Sequence, residues 1–524
     1  VFLLYLVEQL PPVMDFQKFG FYDEGAWIHL IKLAAGGGGG GGRTPTVDLG
    51  YSYGNLPFML SRGWFAAFGY TPWAYLGFLT LCNLLSVTGI AWILRTVGVS
   101  WWRLAAACVL LPLAVIPNNY SLAHPLEMML IIWALAFQTR GRYGVALALG
   151  VLGVFTKPSM PYVLGLVLLI FGFLYPARRA GDQAQGFQSL GLRQRLRLFL
   201  RMAIPPTLTA LAMMGISIWV MGLKPALANI IPAKAAAAYK QMDFGIFHAG
   251  KEFWLYDGKG KGAAEVLRHY LFCPASFWIL ASLLVWALGL LALSRLARGF
   301  WKRRTARGDG ETPRSTDPLV LTIALLHAAF VFAFYAWAGS WTYYSYLLPL
   351  GLLVGLRGGG RQVVLLRVLV VLGALGLLER GWDGYSRWWG MQRVPEAAGL
   401  WAYPDELAEA QRARALARER NGLFLVNGAL PLIWPDVQTP AVWFLSPGVL
   451  TAPEIDRVRE QLRQANVVVL YKKYDQKQEA WKWPEFASER QAFELRSWQI
   501  LSWTIQEKPL YEGEYFVVYG RHEK

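Results

Sequence analysis

Charge is scarce in this chain. Only 16% of its 524 residues are Asp, Glu, Lys or Arg, against about a quarter in an ordinary soluble domain, which argues against a typical cytosolic enzyme. Cysteine is scarcer still: Cys82, Cys108 and Cys273 each lie in or at the edge of an apolar run, and no two form a C-x-x-C pair. That spacing excludes a cysteine redox motif and leaves small buried thiols as the reading. No cysteine lies beyond residue 382, so no disulfide framework constrains that part's compartment. Acidic residues are few relative to basic ones, 34 against 51, for a net charge of +17. The deficit is confined to the first part, with 33 basic and 15 acidic residues up to Gly381, then 18 and 19 from Trp382 onward. The basic residues sit between apolar runs, so the imbalance points to a membrane and not to nucleic acid. Several soluble-enzyme motifs are also missing. There is no D-x-D for a nucleotide-sugar transferase and no G-x-S-x-G nucleophile elbow. The glycine run before Arg43-Thr44 lacks the lysine and the preceding strand of a phosphate loop.

What the chain has in quantity is apolar surface: 55% of it is hydrophobic and 15% aromatic, which excludes disorder. A bilayer-crossing helix needs about 20 apolar residues. Candidate spans are 73–94, 101–117, 125–138, 143–156, 160–175, 202–222, 271–294, 319–338, 344–357 and 362–379, and Val1–Leu10 reads as the last turns of another helix. This predicts an α-helical polytopic membrane protein of about eleven crossings with a truncated first helix, in contact with membrane lipids. The Arg-rich connections Arg95–Arg103, Arg140–Arg142, Arg178–Arg201, Arg295–Arg307 and Arg357–Arg361 follow alternate helices, as the positive-inside rule requires. The other side receives 11–72, 118–124, 223–270 and the C-terminal part, with Asp23, Glu24, Asp48, Asp243, Glu252 and Asp257 among its acidic residues. The expected location is the plasma (inner) membrane, with the chemistry facing outward. The run Gly36–Gly42 offers no side chain from which chemistry can be read.

Four features of the outward side carry candidate chemistry. Asp23-Glu24 stands directly after the first helix. Adjacent carboxylates there repel unless a proton, cation or substrate lies between them. One could be a general base on an acceptor hydroxyl and the other could bind a metal or a second hydroxyl; the plainer alternative is an N-capping pair opening a helix Gly25–Ala35. His124 and Glu127 are three positions apart, hence on one helix face, where with Glu24 they could hold a divalent metal ion or orient an acceptor. Lys157 lies between two apolar runs, and Pro158 after it frees backbone groups. An intramembrane lysine of this kind suits a lipid-linked phosphate; the alternative is a lysine snorkelling from a helix end. The loop 223–270 carries Lys224, Lys234, Lys240, Lys251, Lys259, Lys261 and Arg268 against the positive-inside trend, which suits an external anion.

The order of these features, Asp23-Glu24, then Asp48-Leu49-Gly50-Tyr51-Ser52-Tyr53-Gly54-Asn55-Leu56-Pro57, His124-Pro125-Leu126-Glu127 and Thr156-Lys157-Pro158-Ser159, resembles the GT-C superfamily of integral-membrane glycosyltransferases. The branch it is most similar to is that of the bacterial aminoarabinose transferases and protein mannosyltransferases. The resemblance implies an acidic motif in the first external loop followed by interfacial helices, a polyprenyl-phosphate-linked sugar donor, and a glycan, lipid or protein acceptor. By the same resemblance, Asp23 and Glu24 would be catalytic, Lys157, Lys234 and Lys240 would hold the donor phosphate, and Asp48, Tyr53, His124 and Glu127 would serve the acceptor or support the site. The competing expectation is a non-catalytic membrane subunit or transporter that keeps this scaffold.

The pattern changes near Glu396. Pro404–Arg420 and Ala452–Ala465 read as helices, and Leu423–Val426, Trp443–Leu445, Val467–Tyr471 and Tyr515–Tyr519 as strands. That alternation predicts a C-terminal α/β domain with a parallel crossover. The division expected is therefore 1–381 for the membrane domain, with 11–72 and 223–270 as its external loops, and 382–524 for an extracytoplasmic α/β domain.

Overall fold

The computed structural model describes residues 23–35, 54–100, 122–157, 160–174, 192–230, 317–330, 347–355, 361–397, 399–425, 430–440, 452–471 and 508–521, with isolated positions between them. The predicted opening helix Val1–Leu10, most of the 101–117 and 271–294 spans, and Trp443–Leu445 lie outside the described residues.

The described residues are mostly helical. The first three helices are α1 (Asp23–Ala34), α2 (Asn55–Phe68) and α3 (Pro72–Thr96). They are followed by α4 (Ala123–Gln138), α5 (Tyr143–Val154), α6 (Met160–Leu174), α7 (Leu192–Met221) and α8 (Leu223–Ile230). Further along come α9 (Asp317–Phe330), α10 (Leu347–Gly355) and α11 (Arg361–Trp389). Local signals set the boundaries. Thr71 caps α3 by accepting from Ala74 N, with Pro72 at the first helical position, where its missing N–H costs nothing. Gly69 ends α2 at φ 86°, and Gly141 turns the chain between α4 and α5 at φ 69°, a backbone state that side chains disfavour.

The helix surfaces identify the solvent. Along α7 the exposed large apolar residues include Leu196, Leu200, Ile204, Leu208 (61%), Leu211 and Trp219 (86%), and along α11 they include Val364, Val368, Val371, Leu375, Leu378 and Trp382. Each series repeats mostly every three or four residues, so each helix turns an apolar stripe outward. Water would penalise such stripes and a bilayer solvates them. Pro72–Thr96 and Leu196–Met221 are each long and apolar enough to cross a membrane, and Ala123–Gln138, Tyr143–Val154 and Met160–Gly172 are shorter apolar helices. Inside the bundle, Ile131 and Leu135 of α4, Leu147 of α5, Leu164 and Leu168 of α6, Ile323 of α9, Leu350 of α10 and Leu366 of α11 form one core. Two expectations are corrected here. The Arg178–Arg201 connection is helical from Leu192, because α7 begins ten residues before its apolar run. The 223–270 loop opens as the helix α8.

Beyond α11, β1 (Gln392–Arg393) pairs antiparallel with β2 (Trp401–Ala402). Then come α12 (Pro404–Glu419), β3 (Gly422–Phe424), α13 (Leu430–Ile433), α14 (Ala452–Gln464), β4 (Val467–Tyr471), β5 (Tyr511–Glu512) and β6 (Phe516–Gly520). The four-stranded sheet has the order β3-β4-β6-β5. Strands β3 and β4 are parallel, with α14 in the connection between them, while β6 runs antiparallel to β4 and β5. The strands alternate faces, as the pleat requires. Leu423 and Val468 pack with Val458 and Leu462 of α14. Phe424, Val467, Val469, Phe516 and Val518 belong instead to a core that continues through α12 into Phe16, Phe19, Trp27, Ile28, Phe58, Tyr75 and Leu79. The C-terminal sheet and the first helices of the chain thus share one hydrophobic interior.

Candidate functional site

The path of the chain from α4 to α5 creates the best-defined polar cluster. α4 begins at the end that bears His124 and Glu127, and the turn 139–142 reverses the chain. α5 then returns Lys157 to the level of His124. Arg140, in the turn at the far end, lies 4.0 Å over the Trp92 ring of α3. The arginine-bearing turn and the lysine therefore sit at opposite ends of the hairpin.

Lys157 Nζ lies 3.1 Å from His124 Nδ1 and 4.0 Å from Glu127 Oε2. All three side chains are buried. An ammonium has donors only, so as a cation Lys157 donates to Nδ1, and the imidazole is then neutral with its proton on Nε2. The distance to Glu127 is too long for a hydrogen bond, and its contribution is charge balance. Thr156 is buried beside Lys157 and donates from Oγ1 to the Leu152 carbonyl at 2.8 Å, closing the last turn.

A second part of the sequence pattern is joined to the first by backbone. Gly54 N donates to Thr156 O at 2.9 Å and Leu56 N donates to Phe155 O at 3.0 Å. The start of α2 is therefore stitched to the residues just before Lys157. A Cβ on Gly54 would fall on the Phe155 carbonyl, so glycine is required for this approach. Asn55, 1% exposed, extends the junction to a third element: its Nδ2 donates to Ser217 Oγ of α7 at 3.3 Å and faces Met59 Sδ at 3.2 Å.

Asp23 and Glu24 form the first turn of α1, two residues earlier than the spacing suggested, and their side chains lie outside the described residues. Close contacts hold their helix in place. Gly25 presses on the Phe19 carbonyl with no room for a Cβ, and Trp27 Nε1 donates to Ser61 Oγ of α2 at 3.2 Å. Phe19 stands edge-on to Tyr75 of α3, with ring centroids 6.0 Å apart. Phe16 packs on Trp434, just after α13, at 5.6 Å. Trp434 in turn donates from Nε1 to Glu396 Oε2 at 3.2 Å and lies under the Arg414 guanidinium, which binds Asp436 at 2.6 Å. Asp48, Tyr53, Lys234, Lys240, Pro158 and Ser159 also lie outside the described residues.

Of the expected site residues, the structure brings together Lys157, His124 and Glu127. Among the described residues no group of three His, Cys, Asp or Glu could hold a metal ion. A divalent ion bound by His124 and Glu127 would have to share their space with the Lys157 ammonium, which repels it. Gly54 and Asn55 are not singled out by sequence as site residues. The usable signal is a glycine followed by a polar residue at the start of an otherwise apolar amphipathic stretch.

The described residues thus form a mostly helical fold with outward apolar stripes, a buried basic centre at one end of the bundle and an α/β sheet packed on its first helices. No family model and no curated protein matches the chain. Among solved structures it is similar to the crystal structure of ArnT from Cupriavidus metallidurans bound to undecaprenyl phosphate, at 13% identity and a TM-score of 0.48, over 99% of this chain and 97% of that one.

Proposed function

We propose that this chain is an integral-membrane glycosyltransferase of the GT-C type, moving a sugar from a polyprenyl-phosphate donor to an acceptor hydroxyl at the outer face of the plasma membrane. In this reading Asp23 takes the proton from the acceptor hydroxyl as its oxygen bonds to the anomeric carbon. The bond from that carbon to the donor phosphate breaks, its electron pair leaves on the polyprenyl phosphate, and the configuration inverts. Glu24 orients the acceptor. Lys157, with Lys234 and Lys240 of the external loop, neutralises the departing phosphate. Asp48, Tyr53, His124 and Glu127 shape the acceptor side, and residues 382–524 lie outside the membrane above the site. A lipid-linked donor suits that face, where nucleotide sugars are not available.

The observation that carries the reading is the Lys157 centre. A lysine buried in an apolar bundle is costly, and this one is tied through Thr156 to Gly54 at the start of α2, in the segment that this reading takes as the external loop with the acidic pair. Transfer of radiolabelled sugar from a polyprenyl-phosphate donor by purified wild-type and Asp23→Asn protein tests it. The wild type should transfer, and the variant should lose activity by at least about a hundredfold, the usual scale of a general base. Equal rates in two folded proteins would remove Asp23 from the reaction. Absence of transfer by either, with intact donor binding, would favour a non-catalytic subunit on the same scaffold.

A further inference from the structure

The junction of α2, α5 and α7 contains a buried polar atom to which no described residue supplies a hydrogen bond. Asn55 is the first residue of α2 and is buried, and its Oδ1 has no hydrogen-bond partner among the described residues. Leaving a buried acceptor unmet costs about 1–3 kcal/mol, so such groups are retained where something other than stability needs them. The orientation of the amide is set by its neighbours. Met59 Sδ can only accept, so it faces Nδ2, and Ser217 Oγ lies on the same side. The neighbouring backbone donors of α2 are already used, Gly54 N on Thr156 O and Leu56 N on Phe155 O. Among the described residues the unmet side-chain atom at this place is an acceptor, Asn55 Oδ1, one residue beyond the Gly54 strut that reaches the Lys157 segment.

We infer that Asn55 is a specificity-determining residue of the proposed donor site, its Oδ1 accepting a hydrogen bond from a hydroxyl of the transferred sugar while Lys157 meets the phosphate. This rests on the reading of the chain as a lipid-phosphate-dependent sugar transferase. An acceptor is the complement a sugar hydroxyl needs, and phosphate oxygens, which only accept, would be turned away. Met59 Sδ and Ser217 Oγ both engage Nδ2, so the amide presents Oδ1 on its other side for a donor. A site that hydrogen-bonds a substrate hydroxyl discriminates strongly against a ligand without it.

The test is equilibrium binding, without acceptor, of polyprenyl phosphate and of its mannose, glucose and galactose conjugates to purified wild-type, Asn55→Leu, Asn55→Ala and Ser217→Ala proteins. Wild type should prefer one conjugate to bare polyprenyl phosphate. Both Asn55 variants should lose at least about tenfold of that preference while holding bare polyprenyl phosphate as before, and Asn55→Ala serves if Asn55→Leu does not fold. Ser217→Ala removes the other side of the amide's support and should keep the preference. Undiminished preference in the Asn55 variants, or equal losses for bare and sugar-linked lipid, would overturn the role of Asn55 and leave the transferase reading standing. Wild type that binds bare polyprenyl phosphate without preferring any conjugate would do the same. Failure of wild type to bind any of the four lipids would overturn the donor reading itself, and the inference with it.

Discussion

At the scale of single residues, the site depends as much on what Gly54 lacks as on what Lys157 carries. Gly54→Ala would drive a methyl group into the Phe155 carbonyl, and overpacking of this kind costs about 1–3 kcal/mol. The melting temperature in detergent should fall, and sugar transfer should fall further than stability alone explains, because the displaced segment leads into Lys157. A variant as active and as stable as wild type would show that the junction tolerates slack. Sequence makes part of this legible. The three-residue spacing of His124 and Glu127 puts them on one face, and a lysine between apolar runs stands out at once. That the lysine reaches that same face cannot be read from spacing, because it depends on how the α4–α5 hairpin sets its two helices against each other. Asp436, just after α13 and beyond the helical bundle, gives a second residue-scale test. Its hydrogen bonds to Arg414 hold its carboxyl below the usual carboxylate range. A depressed value means that the pair stabilises the fold above the ordinary aspartate value near 4, and that the stabilisation is lost as pH falls through the lowered value. Arg414→Met should therefore cost up to about 1 kcal/mol at pH 7, read by denaturant unfolding, and the difference should shrink below about pH 4. A pH-independent cost would assign the effect to stacking on Trp434 alone.

At the scale of elements, hydropathy locates the apolar helices well and their ends poorly. The span 73–94 is Pro72–Thr96 in the structure, 160–175 is Met160–Leu174, and 143–156 is Tyr143–Val154. The differences have one physical cause: a helix does not stop where its apolar run stops. α7 starts early because Arg193, Arg195, Arg197 and Arg201 are good helix formers, and α11 continues through charged residues to Trp389. The short strands β1, β2 and β5 escape sequence reading because two residues show no period, whereas Val467–Tyr471 is legible from its continuous apolar run. Spin labels on either side of Ile204 make the surface reading measurable. At positions 200, 208 and 211 of α7 they should be accessible to oxygen and shielded from a water-soluble relaxation agent, while positions 393 and 420 should show the reverse. Water access along the α7 stripe would mean that no bilayer covers it. Trp434 has an element-scale role as the seat of Phe16 ahead of α1. Trp434→Leu should lower turnover while donor affinity at the Lys157 centre is kept, and Trp434→Phe should restore most of the turnover. Parallel loss of both quantities would make the tryptophan a general stability element.

At the scale of the whole molecule, the arginine-bearing α4–α5 turn and the Lys157 centre lie at opposite ends of one hairpin, so the orientation of the chain fixes which side of the membrane holds the chemistry. A reporter fused after Lys524 should be exported, and cysteines at 193 and 197 should be protected from impermeant reagents in intact cells. A C-terminus retained in the cytoplasm would put the proposed site on the nucleotide-sugar side. The central claim is that Lys157 is kept in the bundle to meet a lipid-linked phosphate. Removing the lysine alone would strand the buried Glu127 charge, so the decisive comparison is between Glu127→Gln and Glu127→Gln/Lys157→Met, with Glu127→Gln/Lys157→Arg as the charge-restoring partner. Equilibrium binding of polyprenyl phosphate to these three proteins in nanodiscs is the measurement. Affinity should fall at least tenfold, about 1.4 kcal/mol, from the first to the second and return in part with arginine; equal affinities in all three would contradict the claim.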